Sequence, residues 1–154
     1  MLISIIITDL RWELNMKGGM LVSTGKVIKY SRQREAIVKF LEGRKDHPTA
    51  EYIYKNIREE YPNISLGTVY RNLALLVELG KVAKISCDDG NDHFDPNVMP
   101  HYHFICRDCN SVSDVDMDSI DFINTLAEKN FKGRIDGHST FFYGICEECL
   151  KKSN

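Results

Sequence analysis

Three segments with helical periodicity come first, followed by two short apolar runs around an Asp-Asp-Gly-Asn turn. The remaining half alternates like strands and carries two C-x-x-C pairs. Together these observations predict an α+β chain. The expected architecture is an N-terminal winged helix-turn-helix over residues 26–96, hinge included, and a small α/β module over 97–154. Residues 1–25 fit neither module and read as an N-terminal extension, either a mobile arm or an over-long start, with Met16 and Met20 as alternative initiators.

The first helix lies in SRQREAIVKFLEG. Ser31 can cap it, Ile37, Phe40 and Leu41 share a face, and Gly43 ends it. The second, in HPTAEYIYKNIREEY, opens on Pro48 and Thr49, which suit a first turn, and sets Ile53, Ile57 and Tyr61 on one side before Pro62 stops it. The third, SLGTVYRNLALLVELG, repeats Val69, Leu73, Leu76 and then Val77 or Leu79 at helical spacing and ends at Gly80. KVAKISCDDGNDHFD reads as a β-hairpin, the wing. HYHFICRD, SVSDVDM and STFFYGICEE read as strands. Between the last two, SIDFINTLAEKNF is an amphipathic helix with Ile120, Ile123 and Leu126 or Ala127 inward. Asp116, Asp118 and Asp121 gather at its start, where the helix dipole favours negative charge. A three-stranded sheet has open edges and a thin core, which a second copy of the chain would cover.

No stretch of the 154 residues approaches the ~20 apolar residues of a membrane span. Leu2–Ile7 lacks the basic start and small-residue cleavage site of a signal peptide. The chain therefore reads as cytoplasmic, with no membrane partner, and its five cysteines favour metal ligation over disulfides. A net charge of −2 hides a split. Residues 26–84 hold twelve Lys/Arg against seven Asp/Glu, a net of +5, whereas residues 85–154 hold six against thirteen, a net of −7. The first half can meet a polyanion.

In a winged helix-turn-helix the third helix enters the major groove of double-stranded DNA. Thr68, Tyr70, Arg71 and Asn72 stand near its start. Arg and Asn can grip base edges, while Tyr and Thr can reach phosphates or a thymine methyl. An ordinary three-helix core with a solvated polar face remains the alternative on pattern alone.

Cys106-x-x-Cys109 and Cys146-x-x-Cys149 are 36 residues apart, each at or just past a strand end. Four thiolates so placed suit a tetrahedral structural Zn2+. A redox pair would need a C-x-x-C that opens a helix in a βαβ unit, and neither is expected to do so. Cys87, in the wing, is left as a half-buried structural thiol. His101 and His103 alternate, so both point to one face of their strand, and Cys106 tends to the other. His47, Asp95 and Asp114 can also ligate a divalent ion, but spacing alone does not recruit them.

HPTAEYIY, ISLGTVYRNLALLVELG, HFD, HYHFICRDC, the aspartate of SVSDVD and YGICEEC together resemble the ferric uptake regulator family of bacterial metalloregulators, in order and spacing, from about Lys26 to Lys151. The resemblance implies a homodimeric, metal-dependent repressor that binds operator DNA and is not an enzyme. It implies a structural zinc on Cys106, Cys109, Cys146 and Cys149, and a regulatory Fe2+ or Mn2+ on His47, Asp95, His101, His103 and Asp114. A metal bridging the modules would fix the orientation of two winged helices in the dimer, so that metal affinity becomes DNA affinity.

Asp95 stands where zinc-uptake members tend to place Cys, and Asp114 where iron-uptake members typically carry Glu. The all-aspartate set resembles the peroxide-responsive branch. That implies that Fe2+ with an open position reacts with hydrogen peroxide, and that His47 or His101 is oxidised to 2-oxohistidine, releasing metal and DNA. Pro100 and Tyr102 occupy two ligand positions of a further family site, leaving only Asp121 and His138. The rival readings are a ferrous-iron uptake regulator without peroxide sensing, a non-haem iron enzyme, and a zinc-stapled module that binds no DNA.

Overall fold

Ser31, Thr49 and Ser65 each turn a hydroxyl onto an amide that a first helical turn leaves unpaired, and three helices start there. These are α1 (Arg32–Leu41), α2 (Ala50–Glu60) and α3 (Leu66–Glu78). The computed structural model describes residues 21–23, 26–87, 90–118, 120 and 122–153. Most of the expected extension, with Met16 and Met20, lies outside these residues, as does Asp121. Two short strands, β1 (Leu21–Ser23) and β2 (Lys26–Ile28), pair antiparallel across the expected 25/26 boundary.

The apolar stripes of the three helices meet. Ile37, Leu41, Ile53, Val69, Leu73 and Leu76 are buried together with Val82 and Phe94. Burying each large aliphatic side chain contributes about 1.5–3 kcal/mol. At Gly80 the backbone takes φ 64°, and the Lys81 amide returns to the Leu76 carbonyl, closing α3 and aiming the chain into the wing. The wing is β3 (Ala83–Ser86) against β4 (Asp92–Asp95), with Ile85 opposite His93.

The second module is a three-stranded sheet in the order β6-β5-β7. Central β5 (Tyr102–Cys106) runs antiparallel to β6 (Val112–Val115) and parallel to β7 (Phe141–Gly144). A parallel pair needs a crossover, and α4 (Phe122–Glu128) lies in it. The chain closes with α5 (Glu147–Lys152). The core here is small: Ile105 and Val112, with Cys87 and Phe141 against them. Ile85 of the wing belongs to this cluster too, so the modules share apolar contact. Cys87 is half-buried, as expected.

Two expectations for α4 do not hold. Leu126 and Ala127 face solvent rather than the sheet, Leu126 being 60% exposed, and Phe122 and Phe131 are exposed as well. The helix spans seven residues and buries none of them fully, so among the described residues its apolar pattern meets no core. Asp116 and Asp118 lie before the helix, in irregular exposed chain, and so are not in its first turn.

Leu73 is fully buried among three helices. Leu73→Ala is expected to lower the unfolding free energy by about 2–5 kcal/mol in urea titrations. A loss below about 0.5 kcal/mol would show that α3 is not the keystone of the helical core.

Candidate metal centre

His47 sits between α1 and α2 in the left-handed backbone region, at φ 41°. Non-glycine residues adopt this region rarely, histidine more often than most, and the surrounding structure must hold it. The wing does so. His93 Nδ1 lies 2.7 Å from the His47 carbonyl, and the Phe94 amide donates to the Pro48 carbonyl at 3.1 Å. The tethered loop drives His47 inward, where it is 1% exposed.

Asp95 ends β4 and is equally buried. His103 on β5 pairs in register with Asp114 on β6, which places both beside His101 at the start of the sheet. The outcome is convergence. His47 Nε2 is 3.0 Å from Asp114 Oδ1 and 3.4 Å from Asp95 Oδ2. His101 Nε2 is 3.0 Å from Asp95 Oδ2 and 3.1 Å from Asp114 Oδ1. His103 Nε2 is 3.3 Å from Asp95 Oδ2. All five ligating atoms lie within 4.8 Å of one another.

Hydrogen bonds do not satisfy the whole cluster: His101 Nε2 meets Asp114 Oδ1 and His103 Nε2 meets Asp95 Oδ2 with hydrogen-bond geometry, but His47 is left over. The buried His47 Nε2 has no partner of hydrogen-bond geometry despite the 3.0 Å separation. It points with the others at a common centre. Ligands at right angles around one ion, with bonds of ~2.1 Å, are about 3.0 Å apart, which matches the closest pairs. Three imidazoles and two carboxylates are also a donor set for a borderline divalent ion. The residues therefore fit a metal ion. Electrostatics follow from the same crowding. Burial alone would raise Asp95, but His103, His47 and the Asn97 amide hold its carboxyl far below the usual range. Burial alone would lower His47, but Asp95 and Asp114 hold it above its ordinary value.

The cysteines form a separate cluster, with Cys106, Cys109, Cys146 and Cys149 also within 4.8 Å of one another and joined by no disulfide. Cys109 and Cys146 sulfurs are 3.7 Å apart. A tetrahedron with zinc–sulfur bonds of ~2.3 Å has edges of about 3.8 Å. The Cys146 amide donates to Cys106 Sγ at 3.3 Å and draws its thiol down to about 6. The neighbouring thiols Cys146 and Cys109 push Cys149 up to about 12. Four thiolates cannot share this space without a compensating cation.

The sequence expectation that neither C-x-x-C opens a helix is corrected. Cys146 is the residue from which α5 starts, and Cys149 lies within it. The helix has only six residues, and the thiols at its cap and within it face the other cysteine pair, so a dithiol of the redox type is still not what the geometry presents.

The separation of His103 from Cys106 by strand parity holds, since they belong to different clusters. Asp121 lies outside the described residues, and His138 Nδ1 meets Asn124 Oδ1 at 2.8 Å and stacks near Tyr102. Thr68, Tyr70, Arg71 and Asn72 stand elsewhere, on the first turns of α3. Arg71 is exposed and donates to Thr68 Oγ1, Tyr70 donates to Glu51, and Asn72 donates to the Thr68 carbonyl. Sequence reasoning missed two supports of the site. One is His93 under His47. The other is Phe141, stacked on His103 with ring centroids 6.0 Å apart. The signal for His93 was its position two before Asp95, which puts both on one face of β4.

The model of the ferric uptake regulator family matches residues 26–143. The peroxide operon regulator of Bacillus subtilis strain 168 is 35% identical over 127 residues, covering 82% of this chain and 88% of that protein. The peroxide-responsive repressor PerR of Staphylococcus epidermidis is 33% identical over 127 residues, covering 82% and 85%. Among solved structures, the ferric uptake regulator Fur of Helicobacter pylori has the same fold, with a TM-score of 0.71 over 94% of this chain and 91% of that one at 23% identity. The Campylobacter jejuni peroxide stress regulator gives a TM-score of 0.65 at 25% identity, covering 96% and 100%.

Cys109→Ser is expected to reduce tightly held zinc from about one ion per chain to none and to lower the melting temperature. Metal analysis after gel filtration, with thermal unfolding, measures both. Undiminished zinc in the variant would remove the four-cysteine cluster from consideration as a closed site.

Proposed function

This chain belongs to the ferric uptake regulator family of metal-dependent transcription regulators, and from that premise we propose that it is a peroxide-sensing repressor: it holds operator DNA when metal-loaded and releases it when one of its own histidines is oxidised. The observation that carries the reading is the origin of the five converging side chains. His47 comes from the α1–α2 loop, Asp95 from the end of the wing, and His101, His103 and Asp114 from the sheet of the second module.

An Fe2+ or Mn2+ ion on these residues ties the helical module to the sheet. Ligands from both modules are satisfied in one relative orientation only, so metal binding and DNA binding reinforce each other by linkage. In the proposed dimer, α3 of each copy enters a major groove, with Arg71 and Asn72 toward base edges and Thr68 and Tyr70 toward the backbone or a thymine methyl. The exposed Phe122, Leu126 and Phe131 supply an apolar face suited to a second copy. The cysteine cluster holds a structural Zn2+ that ties β5 to the chain after β7.

When bound, Fe2+ would catalyse the cleavage of hydrogen peroxide beside the imidazoles, with the ring as the net two-electron donor. His47 and His101 are the receiving groups, because each has Nε2 within about 3.1 Å of Asp114 Oδ1. The imidazole ring takes up one oxygen atom and the peroxide leaves as water. The oxidised ring donates poorly to metal, and the tie between the modules opens. Each chain fires once, which separates this chemistry from the turnover of an enzyme. The short Asp114 side chain supports the peroxide branch over an iron-uptake regulator, since its oxygen reaches both histidines at once.

Anaerobic Fe2+ loading followed by hydrogen peroxide is expected to add one oxygen to peptides carrying His47 or His101, read by mass spectrometry, and none with Mn2+. Oxidation confined to cysteine or methionine would sink the sensing mechanism. Asp114→Glu is expected to reduce this oxidation while Mn2+-dependent operator binding persists; equal oxidation would remove residue 114 as the determinant. Arg71→Ala should weaken operator binding by about 1–3 kcal/mol, or about 5- to 150-fold, in fluorescence anisotropy. An unaltered affinity would remove α3 as the reading helix.

A further inference from the structure

The hinge between the modules, residues 96–101, follows one site residue, Asp95, and ends on another, His101. Three bonds run along it, each between residues two apart. The Asn97 amide donates to Asp95 Oδ1 at 2.7 Å. The Met99 amide donates to Asn97 Oδ1 at 3.1 Å. The Met99 carbonyl lies 2.7 Å from His101 Nδ1. A carbonyl only accepts, so Nδ1 carries the proton. His101 Nε2 faces the centre, 3.0 Å from Asp95 Oδ2 and 3.1 Å from Asp114 Oδ1. The side-chain Nδ2 of Asn97 is 3.4 Å from the same Nδ1; with protons on both atoms this is a contact and not a bond.

We propose that Asn97 is a positioning residue for the metal centre: it sets the span from Asp95 to His101 and the ring orientation of His101, so that an ion meets both ligands already aimed. This rests on the reading of the five-residue cluster as the regulatory centre. Packing gives the hinge little support. Val98 is 49% and Met99 60% exposed, and the other side of the hinge borders a cavity of about 520 Å³ that reaches Lys84, Asn124, His138 and Phe141. Pro96 and Pro100 stiffen the two ends. The stretch between them depends on its internal bonds, and the Asn97 side chain makes the middle one. A histidine ligand whose second nitrogen is held by a carbonyl is fixed in orientation, and loss of such support typically costs 10- to 100-fold in metal affinity.

Asn97→Ala removes the acceptor for the Met99 amide, whereas Asn97→Asp keeps an oxygen there. In the metal-free full chain, nitrogen-15 NMR is expected to show His101 Nδ1–H held in a hydrogen bond in the wild type and in Asn97→Asp, and that bond weakened or lost in Asn97→Ala. Mn2+ titration followed by electron paramagnetic resonance is expected to show about 10- to 100-fold weaker binding in Asn97→Ala, near wild-type binding in Asn97→Asp, and equal zinc content in all three. Retention of the Nδ1–H hydrogen bond in Asn97→Ala overturns the proposal, and so does its loss with unaltered Mn2+ affinity. Wild-type Mn2+ binding that survives His103→Ala would instead sink the reading of the five residues as one centre, and the His101 Nδ1–H bond would still decide the role of Asn97.

Discussion

Two buried or half-buried carboxylates and three imidazoles converge on one point, and without a cation only shared protons can hold them there. The rest of the molecule can be understood as what is needed to hold it together. The wing pins the loop of His47 in a backbone conformation that it would not choose alone. The register of β5 against β6 puts His103 opposite Asp114. Ile85 of the wing packs with Ile105 and Val112 of the sheet, so the two modules are pressed together before any ion arrives. That apolar contact is modest. The remaining difference between the joined and separated arrangements is left to the metal, which is what a switch requires.

Much of this was legible in the sequence, for physical reasons that differ element by element. Ser31, Thr49 and Ser65 mark helix starts because the orphan amides of a first turn need an acceptor nearby, and all three make that bond. The cysteine cluster was legible because metal spacing within a knuckle is local. His101 and His103 were legible as a pair because strand parity is local too. His47, Asp95 and Asp114 were not. They lie far apart in the chain, and only tertiary packing brings them within 4.8 Å of the two histidines. Family resemblance supplied them where spacing could not.

The errors are informative in the same way. Leu126 and Ala127 were expected to face inward because helical periodicity reports an apolar face without saying which molecule covers it. Cys146 starts a helix that was not foreseen, since six residues carry too little periodicity to register. Asp116 and Asp118 were assigned to a helix start that lies four residues beyond Asp118, because several Asp and Ser residues precede α4 and each is a plausible cap in sequence.

β5 carries His103 near one end and Cys106 at the other, three residues apart. The two ends then obey different clocks. A closed thiolate site keeps its ion for the life of the chain, whereas an open nitrogen–oxygen site exchanges with the pool around it. The far end of β5 is tied by the cysteine cluster to the chain after β7, and the pairings of β5 with β6 and β7 present Asp114 and the Phe141 ring to the near end. Under the proposed function the two ends stand in series: a chain that had not captured zinc would present a weakened second centre, and zinc supply would bear on how many chains can answer the second metal.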